Sequence, residues 1–148
     1  MNVASDIWEK REVDLDKIGE GVSFLGPAHW QPRMIFSGFP DVILKANIAG
    51  FPSSLKGRGL RHSHPIFVLE CNSNLSHRTC PCTSKYTPGT KYIQAGCRLE
   101  YSRRVMDRTS FILEHFAFNL PAERDWMDKL RFWGKVPEGC IKNPIKQD

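Results

Sequence analysis

Arg61-His62-Ser63-His64 puts a guanidinium and two imidazoles within four residues. In an extended chain the side chains of His62 and His64 fall on one face. Imidazole exchanges a proton near neutral pH and a guanidinium keeps its charge, so the stretch suits acid–base work beside an anion. Thr83 and Ser84 add hydroxyl donors further along. Asp107 lies between Arg104 and Arg108, where it could act as a base, hold a histidine, or simply pair with either arginine. Lys56, Arg58, Arg78 and Lys85 cluster near two loops, and Tyr86 offers a ring on which a base could stack. Each group also has a plainer reading: a surface histidine at a strand entrance, a hydroxyl bonded to backbone, a solvated charge.

The cysteines are Cys71, Cys80, Cys82, Cys97 and Cys140. The count is odd and the acidic N-terminus lacks the apolar stretch of a secretory signal, so reduced thiols are expected rather than a disulfide framework. Only Cys80 and Cys82 are close, as Cys-Pro-Cys, and zinc sites usually show two spaced pairs. No metal and no cofactor is therefore expected; a zinc-stabilised module is the weakest of three readings. No apolar run reaches the ~18 residues of a membrane helix. These features together predict a cytoplasmic protein with no membrane partner.

The chain of 148 residues fits one domain with an extension. Its net charge of +5 is uneven. Residues 1–37 carry four Lys/Arg against six Asp/Glu, and residues 38–148 carry 17 against 10. A basic main body suggests a polyanionic or acidic partner. The sequence divides into an N-terminal extension over 1–37 and a domain over 38–148. A short helix is expected after Asp6, and Trp8, Phe24 and Trp30 are expected to dock on the body. Strands are expected over 41–48, 65–70, 78–84 and 91–94, with shorter ones around 104–106 and 110–113. The Gly50–Gly59 segment reads as a long basic loop. Pro121, Glu123 and Asp125 read as a helix start, Trp126, Leu130 and Trp133 recur at helical spacing, and Gly134 reads as the stop. A helix near 121–133 follows, and a short strand at Val136. Short strands with polar turns predict a small, mostly antiparallel barrel of five or six strands with this helix packed on it. Trp126, Met127, Leu130 and Trp133 would leave an apolar helix face that a homodimer or the extension could cover.

Residues 40–50, Pro-Asp-Val-Ile-Leu-Lys-Ala-Asn-Ile-Ala-Gly, resemble the opening strand of the MazF/PemK-type toxin endoribonucleases. A basic flexible loop follows, then His64-Pro65 entering an apolar strand, then Cys80-Pro81-Cys82-Thr83-Ser84, the closest motif match. Val105-Met106-Asp107 and the segment Leu120–Val136 fit the later order of elements. The resemblance covers about residues 40–138.

It implies a mainly β fold with α, an SH3-like antiparallel barrel with a C-terminal helix, assembled as a homodimer. It further implies a toxin of a type II toxin–antitoxin system, cleaving single-stranded RNA without metal and neutralised by an antitoxin protein. Such cleavage uses the ribose 2′-OH as nucleophile and needs a base, a charge stabiliser and an acid for the leaving oxygen. His64, Thr83, Arg61 and Asp107 are the expected catalytic set. Lys56, Arg58, His62, Arg78, Ser84 and Lys85 are the expected RNA contacts. One position departs from the pattern: the family's basic residue before the strand-entry proline is arginine, and here it is His64. That leaves a second reading, a barrel that binds RNA or a peptide without cutting. Arg61, His64 and Thr83 are expected to converge at one rim.

Overall fold

The computed structural model describes residues 25–37, 65–121 and 130–145. The expected helix after Asp6, the strand over 41–48 and the loop at 50–59 lie outside the described residues, as do Trp8, Phe24, Trp126 and Met127. Eight strands are present among the described residues: β1 (Met34–Ser37), β2 (Ile66–Glu70), β3 (His77–Thr83), β4 (Tyr92–Ile93), β5 (Ser110–Ile112), β6 (Phe118–Leu120), β7 (Arg131–Lys135) and β8 (Ile141–Lys142). Every strand pairing is antiparallel, in the order β7-β1-β2-β3-β5-β4-β8, with β6 also paired to β3. The sheet curls into a half-barrel, so the fold is mainly β and antiparallel as expected.

The core follows from the apolar runs. Met34, Ile35 and Phe36 of β1 and Ile66, Phe67 and Val68 of β2 are all buried, so both strands are covered on two faces. Burying each such side chain contributes roughly 1.5–3 kcal/mol. Met34–Ser37 falls on the extension side of the expected boundary at 37/38, and it forms the strand between β2 and β7. Trp30 docks as expected: it stacks on Phe36 with ring centroids 4.2 Å apart, and its Nε1 donates to the Leu25 carbonyl at 2.8 Å.

Strand β3 changes partner midway. His77–Thr79 pairs with β6, and Cys82–Thr83 pairs with β5. Pro81 sits at the changeover and has no N–H to give the ladder. Its carbonyl still accepts from Leu113 N at 3.0 Å. A short 3-10 turn at Glu114–Phe116 fills the gap between β5 and β6.

Two expectations fail here. Residues 131–133 of the expected helix belong to β7, its residues 122–129 lie outside the described residues, and no helix of seven or more residues occurs among the described residues. Leu130, Phe132, Gly134 and Val136 are buried in alternation, which is the strand period. Pairing with β1 across four register positions selects that period over the helical one. Gly134 is not a helix stop. It lies within β7 at φ +146°, and a Cβ there would sit 2.6 Å from Ser102 Oγ and 2.7 Å from Leu99 Cβ.

The second failure concerns cysteine. Cys97 and Cys140 form a disulfide, with Cα atoms 5.8 Å apart, while Cys71, Cys80 and Cys82 are not in disulfides. An odd count does not prevent one bridge when the fold brings two cysteines together. Cys97 stands on a long hairpin that extends β4 and β5, with Gly96 N donating to Met106 O at 2.7 Å and Leu99 N to Arg104 O at 2.8 Å. The hairpin tip reaches β7. Glu100 N donates to Lys135 O at 2.8 Å, Ser102 Oγ donates to the Trp133 carbonyl, and the Arg104 guanidinium lies 4.8 Å from the Trp133 ring centroid. Among the described residues no helix is long and apolar enough to cross a membrane.

Candidate functional site

The β2–β3 hairpin decides which groups meet. Ile66 is registered opposite Pro81, and Cys82 N donates to the Pro65 carbonyl at 2.9 Å. The entrance of β2 and the exit of β3 thus lie at one end of the sheet. His64, Arg61, His62, Lys56 and Arg58 lie outside the described residues. Pro65, next to His64 in sequence, is hydrogen-bonded to Cys82, next to Thr83.

Thr83 is half-buried at the end of β3, and its Oγ1 accepts from Lys85 N at 3.2 Å. That bond turns the chain at Ser84-Lys85, both exposed. The hydroxyl proton of Thr83 remains available to a ligand. Across the ladder Thr83 faces Phe111, and Phe111 faces Tyr92. Tyr86 meets Phe111 edge-on at 5.6 Å and is 51% exposed. Tyr92 lies 5.5 Å from Phe111 on the other side. An aromatic platform therefore borders Thr83, Ser84 and Lys85. The sequence offers Tyr86 as a ring on which a base could stack; its packing against Phe111, with Tyr92 beyond, follows only from the strand register.

Two expected partners do not join this rim. Arg78 is five residues before Thr83 on β3, about 17 Å along an extended strand. It faces Glu70 with a 4.0 Å N–O separation, and both side chains are largely in solvent. Asp107 is exposed four residues before Phe111, up to about 13 Å further along the hairpin. It forms no ion pair with Arg104 or Arg108; Arg104 instead covers Trp133.

A cleft of about 330 Å³ adjoins the rim, lined by Thr90, Lys91, Ile112, Glu114, His115 and neighbouring residues. Lys91 O accepts from Ile112 N at 2.9 Å, and Ile112 is paired with Cys82, so the cleft opens one ladder step from Thr83. It adds an ammonium, an imidazole and a carboxylate to that end of the sheet. Sequence reasoning missed these groups because Glu114 and His115 occupy a turn with no motif around it.

A second cleft, of about 510 Å³, is lined by Pro27, Trp30, Cys71, Asn72, His77 and neighbours. A cysteine and a histidine in one cleft invite a nucleophile reading, which the hydrogen bonds exclude. His77 Nδ1 accepts from Asn72 N at 3.0 Å, so Nε2 carries the proton donated to Pro27 O at 2.8 Å. Both ring nitrogens are committed. Burial pushes the Cys71 thiol up to about 11 against a weaker opposing pull from Lys135, and its Sγ donates to Trp30 O at 3.3 Å. This thiol is a protonated strut, not a thiolate.

Cys80 and Cys82 are buried, and burial raises both thiols; Cys82 and Glu114 raise Cys80 further, against Arg78. Among the described residues no three of His, Cys, Asp and Glu are grouped to hold a metal ion. No family model, curated protein or solved structure matches this chain.

Proposed function

We propose that the chain is an SH3-like barrel protein of the MazF/PemK type that binds single-stranded RNA across the β3 exit and cleaves it without a metal ion. The observation that carries this reading is the Pro65–Cys82 hydrogen bond, which joins the strand entered after His64 to the strand ending at Thr83. Exposed Tyr86, backed by Phe111, supplies a base-stacking surface beside it. In the proposed step His64 takes the proton from the 2′-OH, the 2′-oxygen attacks phosphorus to form a 2′,3′-cyclic phosphate, and the P–O5′ bond breaks as the 5′-oxygen takes a proton from water. Arg61 and the Thr83 hydroxyl stabilise the charge on the phosphate. As a toxin of this type the protein acts in the cytoplasm as a homodimer and is silenced by an antitoxin protein.

The test is incubation of purified protein with mixed single-stranded RNA in excess EDTA, reading the fragment ends. Cleavage that survives the chelator is expected, and His64→Ala should slow it by roughly 10²–10⁴-fold. Intact RNA, or cleavage abolished by EDTA, overturns the reading.

One observation favours a second reading. The Cys97–Cys140 disulfide fits an oxidising compartment better than a reducing cytoplasm. That compartment does not suit a cytoplasmic toxin, which leaves the barrel that binds RNA or a peptide without cutting; the same incubation would then give no new RNA ends.

A further inference from the structure

The hairpin over residues 91–112 starts at the aromatic platform and ends on β7. Its far half is rich in arginine: Arg98, Arg103, Arg104 and Arg108 are all exposed. None of the four enters an ion pair among the described residues. Arg98 is bridged to Val105 across the hairpin, and Val105 is 49% exposed, so an apolar surface lies beside the charge. Arg104 rests on the Trp133 ring, a geometry that leaves the edge of a guanidinium free for bidentate bonds.

The tip is held rigidly for a surface loop. Tyr101 and Arg103 both have left-handed backbone, at φ 71° and 60°. L-residues adopt that conformation at a cost, which persists only where the surroundings impose it. Here the disulfide, the Glu100–Lys135 bridge and the contact of Ser102 with Trp133 do so. The arginines are thus presented from a fixed frame, which lowers the entropy lost on binding.

We infer that this hairpin is a track for the phosphate backbone of single-stranded RNA, leading from the aromatic platform to the arginine tip; this rests on the RNA reading above. Six residues separate Tyr92 from Arg98, a span of up to about 20 Å. A strand whose base stacks at Tyr86 would need several further nucleotides to reach the tip. Guanidinium groups match phosphate oxygens in geometry, and continuity with the stacking surface favours RNA over an acidic protein.

The test compares a four-nucleotide and a twelve-nucleotide single-stranded RNA, 2′-O-methylated against cleavage, in a salt series. The variant is Arg98→Gln/Arg103→Asn, because asparagine tolerates left-handed backbone. Its melting curve and its unreactive Cys97 and Cys140 confirm the fold. The expected result is unchanged binding of the short RNA. For the long RNA the slope of log affinity against log salt should fall by about 1.4, or 0.7 for each phosphate that the variant no longer neutralises. Equal slopes for variant and wild type on the long RNA overturn the track and leave the platform standing. Wild-type protein that binds neither RNA overturns the RNA reading and the track together. Heparin binding that the variant loses, without RNA binding, would overturn the track in favour of another polyanion.

Discussion

Breaking the Cys97–Cys140 bond is the sharpest test of how the sheet is held. The two cysteines are 43 residues apart in sequence. Loop-closure entropy for a cross-link of that span is worth about 4 kcal/mol, by lowering the entropy of the unfolded chain. The folded hairpin keeps its other anchors when the bond is cut: the Glu100–Lys135 bridge, the Ser102 bond and the β4–β8 pairing. The reduced protein should therefore stay folded near room temperature but melt about 8–16 °C lower. The assay is thermal unfolding by circular dichroism of oxidised protein, of protein reduced with its state checked by mass, and of Cys97→Ala/Cys140→Ala. The variant should melt near the reduced wild type and ignore reductant. Thiol titration of the denatured, unreduced protein should find three groups, Cys71, Cys80 and Cys82. Five titratable thiols would show that the bond does not form. A bond that forms, but whose reduction leaves melting unchanged, would refute the entropic argument.

Other perturbations probe neighbouring features. Gly134→Ala should destabilise by at least about 2 kcal/mol in chemical denaturation, since a Cβ would lie within 2.9 Å of three atoms of the hairpin tip at a left-handed φ; a neutral result would mean the tip is not seated there. Alkali should also destabilise: unfolded thiols ionise near pH 8.5, while buried Cys80 and Cys82 are held protonated well above that. The folded state then binds more protons, so this stabilisation is complete below about pH 8 and is lost progressively as pH rises above about 9. A stability curve flat from pH 8 to 10 would contradict this. Tyr86→Ala should weaken single-stranded RNA binding by about 1–3 kcal/mol with little change in melting temperature; equal affinity would remove the stacking surface from the proposal. His77→Ala should cost about 1–3 kcal/mol, because Asn72 N loses its acceptor while Pro27 O keeps only the bond from Trp30 N, and denaturant titration reads it directly.

Strands whose partners come next in sequence are the ones the residues announce. Pro65 and the turn at Asn72–Asn74 bracket β2, and β3 follows at once, so their register could be anticipated. The rim at Pro65 and Cys82 follows from that register. β1 is harder: Met34-Ile35-Phe36 is a three-residue apolar run after a glycine- and proline-rich stretch, and its second neighbour, β7, is about a hundred residues away. That same distance hides β7. Trp126, Leu130 and Trp133 match a helix, while Leu130, Phe132 and Val136 match a strand, and both periods are present in the residues. Only the apolar edge of β1 decides between them.

The two misread residues belong to one structural device. Gly134 and Cys140 are where the hairpin tip and its stem are fixed to the run that carries β7 and β8. Gly134 has no Cβ, so the backbone of the tip can close on the sheet. Cys140 adds a covalent tie a short distance along. In its own neighbourhood the glycine reads as a terminator and the cysteine as a spare thiol, because each acts on a partner in another part of the chain. A hairpin fixed at both points keeps Arg98 and Arg103 at a set distance from Tyr86. Cutting the disulfide should therefore weaken binding of a long RNA strand more than a short one, even while the protein remains folded.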